Sequence, residues 1–126
     1  GSVQVSVENM NPKICACHCS TCRKWGGGPL LSASCGSDIT FEGEVFISIY
    51  DSSKWADRGF CKQCGSHLFY RLKGNQHYSI PLGLFEQNEN MQMDIQVFID
   101  EKPDYYCFSN NTRTLTGEQA FSEFSS

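Results

Sequence analysis

The sequence of 126 residues predicts a mainly β chain of several coiled antiparallel sheets, with a short C-terminal helix. Three observations predict it. Short runs rich in Val, Ile, Phe and Tyr recur at close spacing from residue 30 onward. Turn-forming clusters of Gly, Asn, Asp and Ser fall between them. One capping-box pattern, Thr116 with Gln119, stands near the end. Short strands at even spacing favour antiparallel sheets over a parallel α/β design.

The elements follow in order. Val3, Val5 and Val7 alternate with Gln4, Ser6 and Glu8, which predicts a half-buried opening strand. Asn9-Met10-Asn11-Pro12 then turns the chain. A short helical turn is expected over residues 20–25 with Ser20 as its cap. The triple glycine Gly26-Gly27-Gly28 permits positive φ and close approach to something bulky. Strand-like runs cover residues 30–34, 45–50, 59–60, 67–72, 77–81 and 94–99. Turns are expected at Gly36-Ser37, Glu42-Gly43, Asp51-Ser52-Ser53, Lys73-Gly74-Asn75 and Asn88-Glu89-Asn90. The final helix places Ala120, Phe121 and Phe124 on its apolar side. No repeat, low-complexity tract or linker divides the chain, so residues 1–126 are expected to form one domain.

Composition narrows the function classes. With 40% apolar and 13% aromatic residues, the chain can build a core, which argues against disorder and a coiled coil. Ten Lys/Arg against fourteen Asp/Glu give a net charge of −4, with no basic run to meet phosphates, so no nucleic-acid partner is expected. Apolar stretches of only a few residues imply no membrane span. No charged-then-apolar leader opens the chain, although Gly1-Ser2 leaves room for a start further upstream.

Eight cysteines are the dominant signal, at 15, 17, 19, 22, 35, 61, 64 and 107. Four crowd into residues 15–22 and two more form Cys61-Lys62-Gln63-Cys64. Disulfides need specific Cα separations and usually join distant points, whereas clustered soft donors suit a thiophilic metal. Metal binding in a reducing, cytoplasmic setting is the reading this favours. In an extended segment Cys17 and Cys19 point to one side, and Cys19-x-x-Cys22 wraps a third sulfur toward them. Zinc takes four ligands, so three thiolates leave a corner for water or substrate. Cys15, His18, Cys35, Cys107 or a distant carboxylate could close that corner instead, which would make the site a fold staple.

Cys61-x-x-Cys64 followed by Gly65 and a strand reads as half of a structural zinc knuckle rather than a redox pair. Cys35 and Cys107 are expected to pack as small hydrophobes. His67 and His77 are expected as satisfied polar residues at strand edges. Trp25 and Trp55 are expected to pack, Trp25 with a claim to a pocket wall. Arg23-Lys24 is a solvated face or an attractor of anions.

The run Cys17-His18-Cys19-Ser20-Thr21-Cys22-Arg23, then Gly28-Pro29, then Phe60-Cys61-Lys62-Gln63-Cys64-Gly65-Ser66-His67-Leu68-Phe69-Tyr70-Arg71, resembles the glutathione-dependent formaldehyde-activating enzyme family. Centromere protein V belongs to the same group. The resemblance runs from Val3 to the strand over 94–99. It implies a β-tent fold, shared with a Rab-exchange-factor chaperone and B-type methionine-sulfoxide reductases, and two zinc ions. By resemblance Cys17, Cys19 and Cys22 match the ligands of the catalytic ion, and Cys61 and Cys64 match half of the structural site. The other half is a Cys-x-Cys-Gly just before the first strand, where this chain begins Gly1-Ser2-Val3-Gln4-Val5. The second ion is therefore not expected to be held as the family holds it.

The implied activity is that of a zinc-dependent carbon–sulfur lyase or synthase joining glutathione to formaldehyde or a related small aldehyde. Three thiolates leave the zinc centre net negative, which favours holding a thiol over polarising a carbonyl. His18 is the nearest titratable candidate for a base. One alternative is a non-catalytic zinc module with a binding or chaperone role. Another is a sulfoxide reductase using Cys107 beside Tyr105-Tyr106.

Overall fold

The computed structural model describes residues 3–7, 11–85 and 91–124, apart from the Phe124 side chain. Gly1-Ser2, Glu8, the Asn9-Met10 part of the first turn and the turn at Asn88-Glu89-Asn90 lie outside those residues. The described chain is mainly β, with ten strands and two α-helices, the second a short C-terminal one. The first strands are β1 (Gln4–Val7), β2 (Lys13–Cys17), β3 (Leu30–Gly36), β4 (Ile39–Glu42) and β5 (Ile47–Tyr50). Then come β6 (Ala56–Cys61), β7 (His67–Leu72), β8 (Tyr78–Pro81), β9 (Gln92–Val97) and β10 (Arg113–Leu115). Helices α1 (Ser20–Gly26) and α2 (Gly117–Phe124) complete the set. No helix among the described residues is long and apolar enough to cross a membrane. The chain divides into two compact units, each built from two separated stretches.

The first unit takes Gly1–Asn11 and Ala33–Asn88. Here the expected antiparallel pairing holds. β1 alternates exposed and half-buried residues and pairs with β4, Gln4 opposite Glu42 and Val7 opposite Ile39. β5, β6, β7 and β8 form an antiparallel meander. Its turns sit where Asp51-Ser52-Ser53 and Lys73-Gly74-Asn75 place them. The strand expected over 45–50 begins late, because left-handed Gly43 (φ 84°) starts a 3-10 turn over Glu44–Phe46. Ala33, Cys35, Cys61, Leu68, Phe69 and Ile80 make the core. Burying Phe69 and Ile80 contributes roughly 2 kcal/mol each. Gly59 lies opposite Phe69 on β7, and a Cβ there would collide with the Phe69 ring. Absence of a side chain at residue 59 is what lets that ring lie over β6.

The second unit takes Pro12–Ser32 and Glu89–Ser126. Its strands are parallel, unlike the antiparallel pairing expected throughout. β9 pairs in parallel with β2 on one side and with β10 on the other. Lys13 faces Gln92 and Cys17 faces Val97, with a register shift between Ile14 and Cys15. Strands so distant in sequence cannot be joined by a hairpin, so direction is free to follow packing. Ile95, Val97 and Ala120 form this unit's core, with Cys15, Cys17, Phe98 and Leu115 packed against it. The expected capping box forms at α2. Thr116 N–H donates to Gln119 Oε1 at 2.8 Å, and Gln119 N–H donates to Thr116 Oγ1 at 3.2 Å.

Candidate metal centre

The three-thiol cluster is assembled locally. β2 carries Cys17 to its end, and His18 N–H donates to Val97 O at 3.1 Å, so the extended conformation continues past the strand. Cys17 and Cys19 therefore share one side and His18 takes the other. Helix α1 begins at Ser20 and returns Cys22 to Cys19. The helix cap is Cys19 rather than the expected Ser20, since the Cys19 sulfur accepts from Cys22 N–H at 3.3 Å. Ser20 N–H donates instead to Glu101 Oε1 at 3.0 Å. Thiol and hydroxyl can both fill that role, and the extended φ/ψ at residue 19 decides between them. Left-handed Gly27 (φ 87°) ends the helix, with its N–H on Arg23 O at 2.7 Å. A Cβ at Gly26, Gly27 or Gly28 would meet no other described atom of the chain within 4 Å, and of the three Gly27 takes the positive φ.

The sulfurs of Cys17, Cys19 and Cys22 all lie within 4.8 Å of one another. Tetrahedral zinc–thiolate bonds put sulfurs about 3.8 Å apart, so small side-chain adjustments close this set on one ion. The electrostatics fit as well. Hydrogen bonds to Cys19 and Cys22, followed by burial, push the Cys17 thiol well above its ordinary value. Three sulfurs this close shed their protons readily only when a cation compensates them. Among the described residues no further His, Cys, Asp or Glu joins the group.

The candidates for a fourth ligand are accounted for one by one. Cys15 stands outside the group, and burial, then the neighbouring Cys22 and Asp94, push its thiol up to about 12. Cys35 is fully buried in the other unit's core, where burial pushes its thiol up to about 11. Cys107 is exposed, against the expectation that it packs as a small hydrophobe. It lies between β9 and β10, outside any strand that could bury it.

His18 is fully buried and both ring nitrogens are taken, Nδ1 by Tyr106 Oη at 2.7 Å and Nε2 by Gln96 Oε1 at 2.8 Å. Burial holds its pKa below the usual imidazole range. That arrangement removes His18 as the candidate base. The alternation of side chains along 17–19 already contained the signal, whereas nothing local points to Tyr106 or Gln96. Arg23 Nε donates to His18 O at 2.9 Å, which gives this residue a holding role beside the cluster.

Cys61 and Cys64 sit in the first unit, Cys61 buried and Cys64 exposed. Gly65 takes the left-handed turn (φ 81°) and donates to Cys61 O at 2.6 Å, which is the backbone of a knuckle. Among the described residues no third His, Cys, Asp or Glu joins the pair. Hydrogen bonds from the Ser66 side chain and backbone lower the Cys64 thiol. No disulfide joins any of the eight cysteines, all of which lie among the described residues. His77 bonds Ser34 Oγ through Nε2, and His67 is half-buried, as expected of satisfied strand-edge residues. Trp25 is half-buried on α1, whereas Trp55 is half-exposed at the surface.

Fold and donor set together define a class, a mainly β protein carrying a three-thiol group able to hold a metal ion. Its sequence matches the family described as glutathione-dependent formaldehyde-activating enzyme over residues 1–101, and the chain belongs to that family. It is 39% identical over 109 residues to a protein of Schizosaccharomyces pombe named an uncharacterized lyase, covering 86% of this chain and 80% of the yeast one. The crystal structure of a Rhodobacter sphaeroides protein shares the fold with a TM-score of 0.54 at 24% identity, covering 67% of this chain and 78% of that one. Family and yeast relative together support a lyase.

Proposed function

We propose that the chain is a zinc-dependent carbon–sulfur lyase or synthase that joins a thiol such as glutathione to formaldehyde or a related small aldehyde. One observation carries the reading: three sulfurs gathered within 4.8 Å, with no fourth donor of the usual kinds among the described residues. Structural zinc sites are closed by four protein ligands, whereas catalytic ones keep a position for water or substrate. Cys17, Cys19 and Cys22 would hold the ion. Zinc bound there would supply positive charge that keeps an arriving thiol deprotonated at neutral pH.

The bond made is between the thiol sulfur and the aldehyde carbon. The carbonyl π pair moves to oxygen, which takes through water the proton that the thiol gave up, and the product is a hemithioacetal. His18 supplies no base in this scheme, since both of its nitrogens are engaged. Its task is to hold the peptide between two ligands. We read residues 1–126 as one functional domain in a cytoplasmic setting, where reduced thiols persist. The knuckle residues Cys61 and Cys64 are read as the remaining metal ligands, with a structural role.

The test is exchange between free and thiol-bound formaldehyde followed by NMR with glutathione present. The native protein accelerates the exchange and Cys19→Ser does not. A native protein that leaves the exchange rate at its uncatalysed value defeats the enzyme reading and favours the alternative of a non-catalytic zinc module.

A further inference from the structure

His18 is bound at every polar atom it has. Its N–H donates to Val97 O at 3.1 Å, and its carbonyl accepts from Arg23 Nε at 2.9 Å. Its two ring nitrogens meet Tyr106 and Gln96. Gln96 in turn donates through Nε2 to Thr112 Oγ1 at 2.9 Å. With the Gln96 amide so oriented, its oxygen accepts from His18 Nε2–H, and Nδ1 accepts from the Tyr106 hydroxyl. A buried imidazole with no exposed surface and four satisfied contacts is an anchor for the peptide on either side of it. On either side of it are Cys17 and Cys19.

Tyr106 and Thr112 both lie beyond residues 1–101, the stretch that the family accounts for. The last turn of that anchor therefore comes from the chain's own C-terminal segment. The Tyr106 ring is fixed in its turn, 5.5 Å from the His18 ring, with Lys102 Nζ 5.2 Å over its face and Phe108 edge-on at 6.3 Å.

We infer that Tyr106 is a positioning residue for the metal centre, acting through His18 to set where the Cys17 and Cys19 sulfurs point. This rests on the metal reading proposed above and extends it. Partners that orient first-sphere ligands typically change metal affinity 10- to 100-fold when removed. Tyr106→Phe keeps the ring and removes only the hydroxyl, which leaves His18 Nδ1 buried without its donor and free to tilt.

Cobalt(II) is the probe, because its thiolate charge-transfer and d–d bands report ligand number and geometry directly. The chelator-stripped native protein, Tyr106→Phe and Tyr105→Phe are titrated with cobalt well below their melting temperatures. Tyr105 is 80% exposed and serves as the control. Tyr106→Phe is expected to bind cobalt about 10-fold more weakly with altered d–d bands, while Tyr105→Phe matches the native protein. A purely structural role for Tyr106 lowers the melting temperature of the metal-free chain and leaves the cobalt bands as they were, which overturns the inference. A native protein that takes up no cobalt overturns the metal reading and this inference with it. If Tyr106→Phe does not fold, Thr112→Val carries the test from the far end of the relay. It should weaken cobalt binding in the same direction by a few-fold, and native affinity with native bands refutes the inference.

Discussion

Cys19 does two jobs, as a candidate ligand and as the cap of α1, and a single substitution separates them. Serine is among the best N-cap residues, so Cys19→Ser replaces one acceptor for Cys22 N–H by another. Its hydroxyl is a far poorer partner for a soft cation than a thiolate. In the metal-free protein the cap survives, and stability should change by no more than about 0.5 kcal/mol. In the metal-bound protein one of three thiolates is gone. A thiolate-rich zinc site is worth on the order of 10 kcal/mol, so a third of it is ~3 kcal/mol. That converts to a fall in affinity of roughly 100-fold. Zinc competition against a chromophoric chelator at pH 7 measures the second quantity, and urea unfolding of the chelator-treated proteins measures the first. Formaldehyde exchange should fail in the same variant. Native zinc affinity in Cys19→Ser removes this residue from the site. A metal-free variant that has lost ~2 kcal/mol or more shows that its sulfur staples the fold, and the catalytic reading loses its support.

Three further outcomes follow from the packing and the thiols. Thr116→Ala removes the hydroxyl that accepts from Gln119 N–H and leaves the backbone N–H that donates to Gln119 Oε1, so losing this half of the capping box should cost about 1 kcal/mol, lowering the melting temperature by about 3–6 °C, whereas no shift shows the hydroxyl contributes nothing. Gly59→Ala drives a methyl into the buried Phe69 ring, so urea unfolding should show a loss of about 1–3 kcal/mol, and an unchanged midpoint contradicts the close packing. Cys64 is exposed and its thiol is lowered by Ser66, so its thiolate fraction at neutral pH exceeds that of an ordinary cysteine. In the chelator-treated protein, iodoacetamide with peptide mass spectrometry should label Cys64 ahead of Cys15 and Cys35, which burial holds at about 12 and about 11, with a rate that falls as pH drops below the lowered value. Labelling of Cys35 first contradicts its burial.

What could be read from the sequence was local. Cys17, Cys19 and Cys22 span six residues, so the alternation of an extended chain and one helical turn were enough to bring them together. Thr116 and Gln119 declared the last helix through chemistry confined to four residues. The antiparallel meander from Ile47 to Pro81 was legible because its turns are short and carry their own signals. The parallel pairing of β2 with β9 was not, because nothing in Lys13–Cys17 names Gln92–Val97 as its neighbour. Nothing in the sequence marks Tyr106 beyond its place before Cys107, since a tyrosine in an irregular segment shows its bond to His18 only once the fold is in place. The cap of α1 is Cys19, one residue before the serine that pattern points to, because pattern alone prefers the hydroxyl.

The vacant coordination position proposed here has a local cause. An extended dipeptide step sends residue 18 away from residues 17 and 19, so the histidine most available by sequence cannot be the fourth ligand without breaking the strand that delivers the other two. The helix that begins at Ser20 commits Cys22 to the cluster and then points Arg23 back at the His18 carbonyl, so the next side chain reinforces the loop rather than the coordination sphere. Cys15, two residues before Cys17 on the same side of β2, packs against the Ile95 and Val97 core and is held protonated by burial. The two donors next to Cys17 in sequence, Cys15 and His18, are thus committed elsewhere by the same backbone geometry that gathers the three sulfurs. A loop built in this way fixes three sulfurs by local geometry alone, and in the proposed reaction the fourth position falls to the arriving thiol.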